Sequence, residues 1–210
     1  MSDVPKPSTH LERRKAELRR EIIDTAFVCF AEKGYHATGI ADIAARLGIG
    51  HGTFYRYFAN KRDIIDHVID DLAARIIDSL GTDNAPDAAT SLDEYRRQVE
   101  RIGESLYKIL LEDRRIAQLL LFQATGIDAE LTGRLYGLLD TADALTAGYL
   151  EHGVEQGYLR ADLDTANTAR AVTGMILGAI LHGLRDPDGE VDPGLIEAIR
   201  RLLIDGVRKE

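Results

Sequence analysis

The chain has 210 residues, of which 45% are hydrophobic and 29% charged, so it can build a core and is not disordered throughout. Its single cysteine, Cys29, excludes an intramolecular disulfide and indicates a reducing compartment, so we expect a cytoplasmic protein. The first ten residues do not resemble a signal peptide, and the longest apolar run, 171–184, is shorter than the about 20 residues of a membrane span. We therefore expect no membrane partner.

The net charge of −9 is distributed unevenly along the chain. Residues 1–62 hold eleven Lys and Arg against seven Asp and Glu, whereas the remaining residues hold fifteen against twenty-eight. This asymmetry favours a polyanionic partner for the N-terminal part only.

Hydrophobic periodicity predicts helices along almost the whole chain. A first helix opens with the basic run 13–20 and ends at Gly34, because glycine readily adopts the left-handed conformation that closes a helix. A second helix is predicted at 40–47, closed by Gly48, and a third at 51–57.

A long fourth helix follows Asn60, which is a suitable N-cap, with Asp63 three residues later in the capping-box position. Five further helices are predicted, at 92–111, 114–125, 128–156, 165–184 and 193–207. No segment alternates apolar and polar residues for long enough to predict a strand pair. The sequence thus predicts an all-α protein of about nine helices.

The second and third helices form a recognisable pair within TGIADIAARLGIGHGTFYRYFANK, residues 38–61. They are joined by a short turn containing glycine, which predicts a helix-turn-helix whose second helix can enter a DNA major groove. On that helix Phe54 and Phe58 face the core, while Gly52 and Arg56 lie opposite Phe54. Glycine costs a helix about 1 kcal/mol relative to alanine, so Gly52 suggests a close backbone approach.

These residues resemble the DNA-binding signature of the TetR family of bacterial transcriptional regulators. The matching elements are F-A-E-K-G-Y at 30–35, Thr38, I-A-x-x-L-G-I at 43–49 and G-T-F-Y-R-Y-F-x-N-K at 52–61. The resemblance covers residues 12–61. Gly39 and Gly50 depart from it, since the family usually has a hydroxyl residue at each place.

The resemblance implies a homodimeric repressor that binds a palindromic DNA operator and is released by a small hydrophobic effector. It implies a flexible N-terminal arm at 1–11, a helix-turn-helix domain at 12–60, and a helical ligand-binding and dimerisation domain at 61–210. A transcriptional activator is an alternative, because it needs the same DNA-binding head. A helical carrier or enzyme with a vestigial helix-turn-helix is another, although positions 52, 53 and 56 carry none of the acidic residues that a vestige would tolerate.

Carried over residue by residue, the resemblance implies phosphate contacts in the N-terminal part. Thr38 would bind a phosphate through its hydroxyl, with a simple helix cap as the alternative. Thr53 and Tyr55 would donate to phosphates or touch a thymine methyl group, and Tyr57 lies nearer the edge of the core. Lys61 would meet a phosphate at the start of the fourth helix.

Base reading would fall to the start and middle of the third helix. His51 and Arg56 are the candidates for contacts with base edges, and Gly52 would let the DNA approach. Arg13 and Arg14 would add electrostatic affinity, although a solvated helix face explains them nearly as well.

A ligand pocket is predicted from mixed apolar and polar residues at helical spacing in the second part of the chain, with ordinary core packing as the alternative. Its candidate residues are Tyr107, Leu111, Leu119, Phe122, Gln123, Tyr136 and Met175. The scarcity of cations among them favours a hydrophobic effector.

The last two helices are predicted to form a dimer interface, with packing inside one chain as the alternative. The candidate residues are Gly174, Gly178, Leu195, Ile199 and Leu202. No H-E-x-x-H, P-loop or G-x-S-x-G motif occurs, so we expect no enzyme, no metal and no cofactor. His152 and Glu155 share a helix face, but two ligands are too few for a metal site.

Overall fold

The structure is a computed structural model that describes residues 10–80, 84–186 and 190–209. Within these ranges it contains nine α-helices and no strand beyond an isolated bridge between Leu159 and Arg208. The predicted all-α fold, a helix-turn-helix followed by a helical domain, is confirmed. Residues 1–9 of the predicted arm lie outside the described residues. No helix in the described part of the chain has both the length and the apolar character to cross a membrane.

The chain divides into two compact units, Met1–Asp71 and Leu72–Glu210. The first unit contains three helices and the beginning of a fourth: α1 His10–Lys33, α2 Ile40–Leu47, α3 His51–Phe54 and α4 Lys61–Leu80. Its core consists of fully buried apolar side chains from all four helices and the segment after α3, including Ile22, Ala26, Phe30, Ile43, Ala44, Phe54, Phe58, Ile64 and Ile65. The rings of Phe54 and Phe58 lie 5.8 Å apart, as their four-residue spacing predicts.

The ends of the first helices follow the predicted signals. Gly34 has a φ of +82° and its N–H donates to the carbonyl of Phe30 at 2.8 Å, which closes α1. At the start of α4, Asn60 Oδ1 accepts from the N–H of Asp63 at 2.9 Å. Asp63 Oδ2 accepts from the N–H of Ala59, at 2.7 Å, rather than from that of Asn60. The N-cap prediction is therefore confirmed.

The second unit holds the remaining helices. They are α5 Leu92–Tyr107, α6 Arg114–Gln118, α7 Ala129–Glu155, α8 Thr165–Arg185 and α9 Pro193–Val207. Two five-residue π-helical segments, Lys108–Glu112 and Leu119–Gln123, and a 3₁₀ turn, Ala124–Gly126, lie between α5 and α7. The α-helices predicted at 92–111 and 114–125 are therefore only partly regular.

The interruption between α5 and α6 has a local cause. Asp113 has φ −107° and ψ 82°, outside the helical region, and its carboxylate accepts from the N–H of Arg115 at 3.2 Å. The aspartate thus ends one helical segment and caps the next.

A core cluster in the second unit joins α5, α7, α8 and α9. Its buried members are Ala89, Tyr95, Tyr149, Leu150, Leu159, Ala169, Ile204 and Val207. The segment after α7 closes against α9, since the N–H of Arg160 donates to the carbonyl of Val207 at 3.0 Å. Because Tyr95 belongs to this cluster, the cluster holds in place the N-terminal half of α5, which also carries Gln98.

Candidate nucleic-acid interface and cavity

Charged side chains join the end of α1 to both ends of α2. Asp42 accepts from Lys33 Nζ at 2.7 Å and from the N–H of Gly39 at 2.8 Å, and these bonds, that of Lys33 first, lower the pKa of its carboxyl group. Arg46 forms a forked pair with Glu32, at 2.5 and 3.2 Å. Together they fix the direction in which α2 leaves α1.

The turn between α2 and α3 is set by backbone bonds. Gly48 has a φ of +69°, a conformation that side chains rarely adopt, and the next N–H, of Ile49, donates to the carbonyl of Ala44 at 3.0 Å. Gly50 is extended, with φ −75° and ψ 152°, and its carbonyl accepts from the N–H of Thr53 at 2.9 Å. Glycine therefore serves as the N-cap of α3, and the helix-turn-helix forms as expected.

Helix α3 is shorter than the predicted 51–57, since regular α-helix ends at Phe54. The N–H of Arg56 donates to the carbonyl of Thr53 at 3.2 Å, and that of Tyr57 to the carbonyl of Phe54 at 2.9 Å. These bonds span three residues rather than four, so the chain tightens into a 3₁₀-type turn. Tyr57 is half-buried there, as predicted for the edge of the core.

The outer side of α3 and the turn after it is polar, exposed and free of acidic side chains. His51, Gly52, Tyr55 and Arg56 are exposed, Tyr55 by 54%. Arg56 Nη2 donates to the hydroxyl of Thr53 at 3.2 Å. A β-carbon built at Gly52 would meet no described atom within 4 Å. Packing within the described chain therefore does not require this glycine.

Thr38, for which a phosphate contact is predicted, is buried. The residue is 1% exposed, and its hydroxyl lies within reach of two carbonyl oxygens of α1 and its end, Cys29 O at 3.1 Å and Gly34 O at 2.8 Å. The hydroxyl has one hydrogen to donate and those carbonyls can only accept, so it is directed inward. Thr38 therefore closes the C-terminus of α1, whereas the N-cap of α2 is Gly39. A phosphate contact by Thr38 stays a prediction.

Lys61 also forms contacts within the first unit. Its Nζ donates to the carbonyl of Tyr35 at 2.9 Å and to that of His36 at 3.4 Å, and it lies 4.4 Å from the centre of the Tyr35 ring. These contacts tie the start of α4 to the turn after α1. A phosphate contact by Lys61 stays a prediction.

The second unit contains a cavity of about 810 Å³, within the size range of small-molecule sites. Its walls come mainly from α5, the π-helical segment Lys108–Glu112, α8 and α9. Apolar lining residues include Val99, Ile102, Leu111, Ile176, Ile180 and Leu203.

Polar residues of α5 and α7 form part of the cavity wall. Gln98 is 1% exposed, and its Nε2 donates to the carbonyl of Ala85 at 2.7 Å, whereas its Oε1 has no hydrogen-bond partner among the described residues. The hydroxyl of Tyr149 donates to the carbonyl of Asn84. Burial raises the pKa of Tyr95, and less strongly that of Tyr149, so both phenols are neutral at ordinary pH.

A family model described as "Bacterial regulatory proteins, tetR family" matches residues 22–68, the segment that contains the helix-turn-helix. The chain belongs to the TetR family of transcriptional regulators. It is accordingly a DNA-binding regulator and not an enzyme.

Relatives of this TetR-family chain include a fatty acid metabolism regulator of Bacillus subtilis, 22% identical over 198 residues, which are 94% of this chain and 100% of that protein. A transcriptional repressor of Mycobacterium tuberculosis is 34% identical over 119 residues, which are 54% of this chain and 59% of the repressor.

Solved structures share the fold over most of its length. FadR from Bacillus subtilis, in complex with stearoyl-CoA, matches with a TM-score of 0.75 and 23% identity, over 90% of this chain and 99% of that one. A transcriptional regulator from Saccharomonospora viridis, in complex with choline, matches with a TM-score of 0.71 and 20% identity, over 93% and 100%.

Of the pocket residues predicted for this TetR-family regulator, Tyr107 and Leu111 line the cavity. Five others do not: Leu119 is fully buried, Phe122 and Tyr136 are 59% and 62% exposed, and Gln123 and Met175 are half-buried elsewhere. Helical spacing shows which residues share a face, but not which neighbouring helix covers it. Gln98 was missed, although a glutamine among Tyr95, Val99 and Ile102 on one apolar face of α5 is a readable signal.

The predicted dimer residues fall into three environments. Ile199 lines the cavity, Leu202 is 64% exposed, and Leu195 is half-buried. β-Carbons built at Gly174 and Gly178 on α8 would meet no described atom within 4 Å, so both glycines border open space. Dimerisation through these TetR-family helices stays a prediction.

Proposed function

We propose that this protein is a homodimeric TetR-family repressor that binds a palindromic operator and leaves it when a small hydrophobic effector occupies the cavity. The observation that carries the proposal is that one chain combines an exposed helix-turn-helix with an 810 Å³ cavity in its second unit. A cytoplasmic location accompanies this proposal as a prediction.

The exposed side of α3 supports the DNA-binding role. In the proposal His51 and Arg56 read base edges, where imidazole and guanidinium donors match the acceptors of guanine. Tyr55 and Thr53 donate hydroxyl hydrogens to phosphates and thereby orient the helix. Gly52 lets the sugar-phosphate backbone approach the start of α3.

The cavity supports the effector role. Most of its lining residues are apolar, which favours a hydrophobic molecule. The solved relatives in complex with stearoyl-CoA and choline support the idea that this fold accommodates small molecules. An effector that binds better to a conformation with wrongly spaced recognition helices lowers operator affinity by linkage.

The first test selects fragments bound by the purified protein from random and host genomic DNA at a stated salt concentration. The expected result is a palindrome whose half-sites lie about 34 Å apart along the duplex, or a multiple of that distance. The control is the Tyr136→Phe variant, since Tyr136 is an exposed tyrosine outside both sites and should select the same sequence. If no sequence is enriched even after bound small molecules are stripped, the proposed binding to a palindromic operator is contradicted.

A second test separates repression from activation. Transcription in vitro from a promoter that contains the selected palindrome should fall when the protein is added and recover when the effector is added. A rise in transcription on addition of the protein alone would identify an activator.

A further inference from the structure

The amide of Gln98 has a fixed orientation in the cavity wall. The carbonyl of Ala85, 2.7 Å away, can only accept a hydrogen bond, so the amide nitrogen must face it. The oxygen, Oε1, is therefore the other end of the amide, and it has no partner among the described residues. The side chain as a whole is 1% exposed and lines the cavity.

A buried acceptor without a donor is unfavourable, because it has lost its bonds to water and gained none from the protein. A ligand that supplies an O–H or N–H at this point restores the bond. A ligand that places only carbon there leaves the oxygen unsatisfied. The site should therefore prefer ligands with a hydrogen-bond donor over ligands of the same shape without one.

The charged residues around the cavity disfavour an anion. Four glutamates belong to its wall, Glu100, Glu104, Glu112 and Glu190, against the two cations Lys108 and Arg200. Arg200 already contacts Glu197 at 2.7 Å and Glu100 at 3.4 Å. A carboxylate or phosphate bound here would face more negative than positive side chains.

We infer that the effector is a neutral, largely apolar molecule with a hydroxyl or N–H group, and that this group donates a hydrogen bond to Gln98 Oε1. The inference rests on the proposed function, since it defines the ligand class of the same cavity. This ligand class differs from the stearoyl-CoA bound to the relative from Bacillus subtilis, because stearoyl-CoA carries several phosphates.

The test uses a matched pair of probes, 1-decanol and decyl methyl ether, which differ in the presence of one donor. Each is titrated against full-length protein carrying Nile red, a neutral dye without an N–H group, and displacement of the dye gives the affinity. One neutral hydrogen bond corresponds to about threefold to tenfold tighter binding of the alcohol than of the ether. Decanoate should bind more weakly than decanol.

The Gln98→Met variant should bind both probes equally, because it keeps the length of the side chain and removes the acceptor. Gln156→Met makes the same chemical change at an exposed position outside the cavity and should retain the preference for the alcohol. Should Gln98→Met fail to fold, the contrast between alcohol and ether in the native protein still decides the question.

Equal affinities of the native protein for alcohol and ether would overturn the inference, since they would mean that water satisfies Oε1. Tighter binding of decanoate or decanoyl-CoA would overturn it in favour of an anionic effector. If no probe displaces bound dye, or the dye itself does not bind, the effector site of the proposed function fails together with the inference. Equal displacement by both probes would contradict the inference but would still support an effector site in the cavity.

Discussion

A β-carbon at Gly153 would lie 2.5 Å from Cδ1 of Leu159, closer than such atoms approach in real proteins. Leu159 is 1% exposed and belongs to the core of the second unit. The N–H of Leu159 also donates to the carbonyl of Gly153, at 3.0 Å. The glycine thus lets the chain fold back onto the last turns of α7.

Gly153→Ala is therefore expected to destabilise the second unit by about 1–3 kcal/mol, the usual cost of overpacking. The measurement is urea unfolding followed by circular dichroism. Gly137→Ala, in the same helix, is the matched control, because a β-carbon there meets no described atom. The control should be neutral or stabilising by up to about 1 kcal/mol. An equal loss in both variants would contradict the packing argument.

Gly52→Ala separates folding from DNA binding. The variant should be at least as stable as the native protein, since the added methyl group meets open space. If the DNA backbone approaches α3 at this point, operator binding should weaken by about 1–3 kcal/mol because the methyl group must displace it. Thermal unfolding and a mobility-shift titration measure the two effects. Unchanged operator affinity would show that Gly52 does not lie at the interface.

Removing the Thr38 hydroxyl should lower the stability of the first unit. Thr38→Val keeps the shape of the side chain but loses the one buried hydroxyl hydrogen that the carbonyls of Cys29 and Gly34 can accept, at a cost of about 1–3 kcal/mol. Thr38→Ser keeps the hydroxyl and should cost less. Unfolding curves of the two variants test this, and a Val variant as stable as the Ser variant would argue against the capping role.

Tyr55→Phe and Thr53→Ala should each weaken DNA binding about threefold to tenfold, through the loss of one hydrogen bond. If these hydroxyls hold phosphates, the loss should be similar on every operator variant. Affinities for a set of operators with single base changes provide the measurement. A loss confined to particular base positions would show that the residues read bases instead.

Asp42 is expected to make the first unit sensitive to acid. Because Lys33 and the N–H of Gly39 lower its pKa in the folded state, its contribution is present above the unfolded value of about 3.9. That contribution disappears as the pH falls through the folded value. Asp42→Asn should therefore be less stable than the native protein at about pH 6, and the difference should disappear as the pH falls through the folded pKa of Asp42. A difference that persists in acid would assign the effect of the substitution to packing.

The sequence predicted the elements whose signals are local. Gly34 and Gly48 end α1 and α2 where expected, and α9 has the predicted bounds, because capping preferences act within a few residues. The sequence did not predict the π-helical segments. Their residues have ordinary helical character, and the wider turn depends on how neighbouring helices pack.

In the functional sites, too, features set by neighbouring residues were predicted and features set by distant contacts were not. The exposed positions of α3 follow from the spacing of Phe54 and Phe58, since residues opposite a buried ring face outward. The buried hydroxyl of Thr38 could not be predicted, because it depends on where the end of α1 lies in space. The cavity likewise depends on contacts among α5, α8 and α9 that are distant in sequence.

Helix α9 contributes apolar side chains both to the cavity and to the exposed surface of the second unit. Ile196 and Ile199 of α9 line the cavity, Ile196 is also 46% exposed, and the exposed Leu202 lies about 60° from Ile199 around the helix axis. A second subunit that covers Leu202 would come next to the margin of the cavity. Self-association and effector binding would then influence each other's equilibrium constants. The midpoint of an effector titration would consequently shift with protein concentration wherever monomer and dimer coexist.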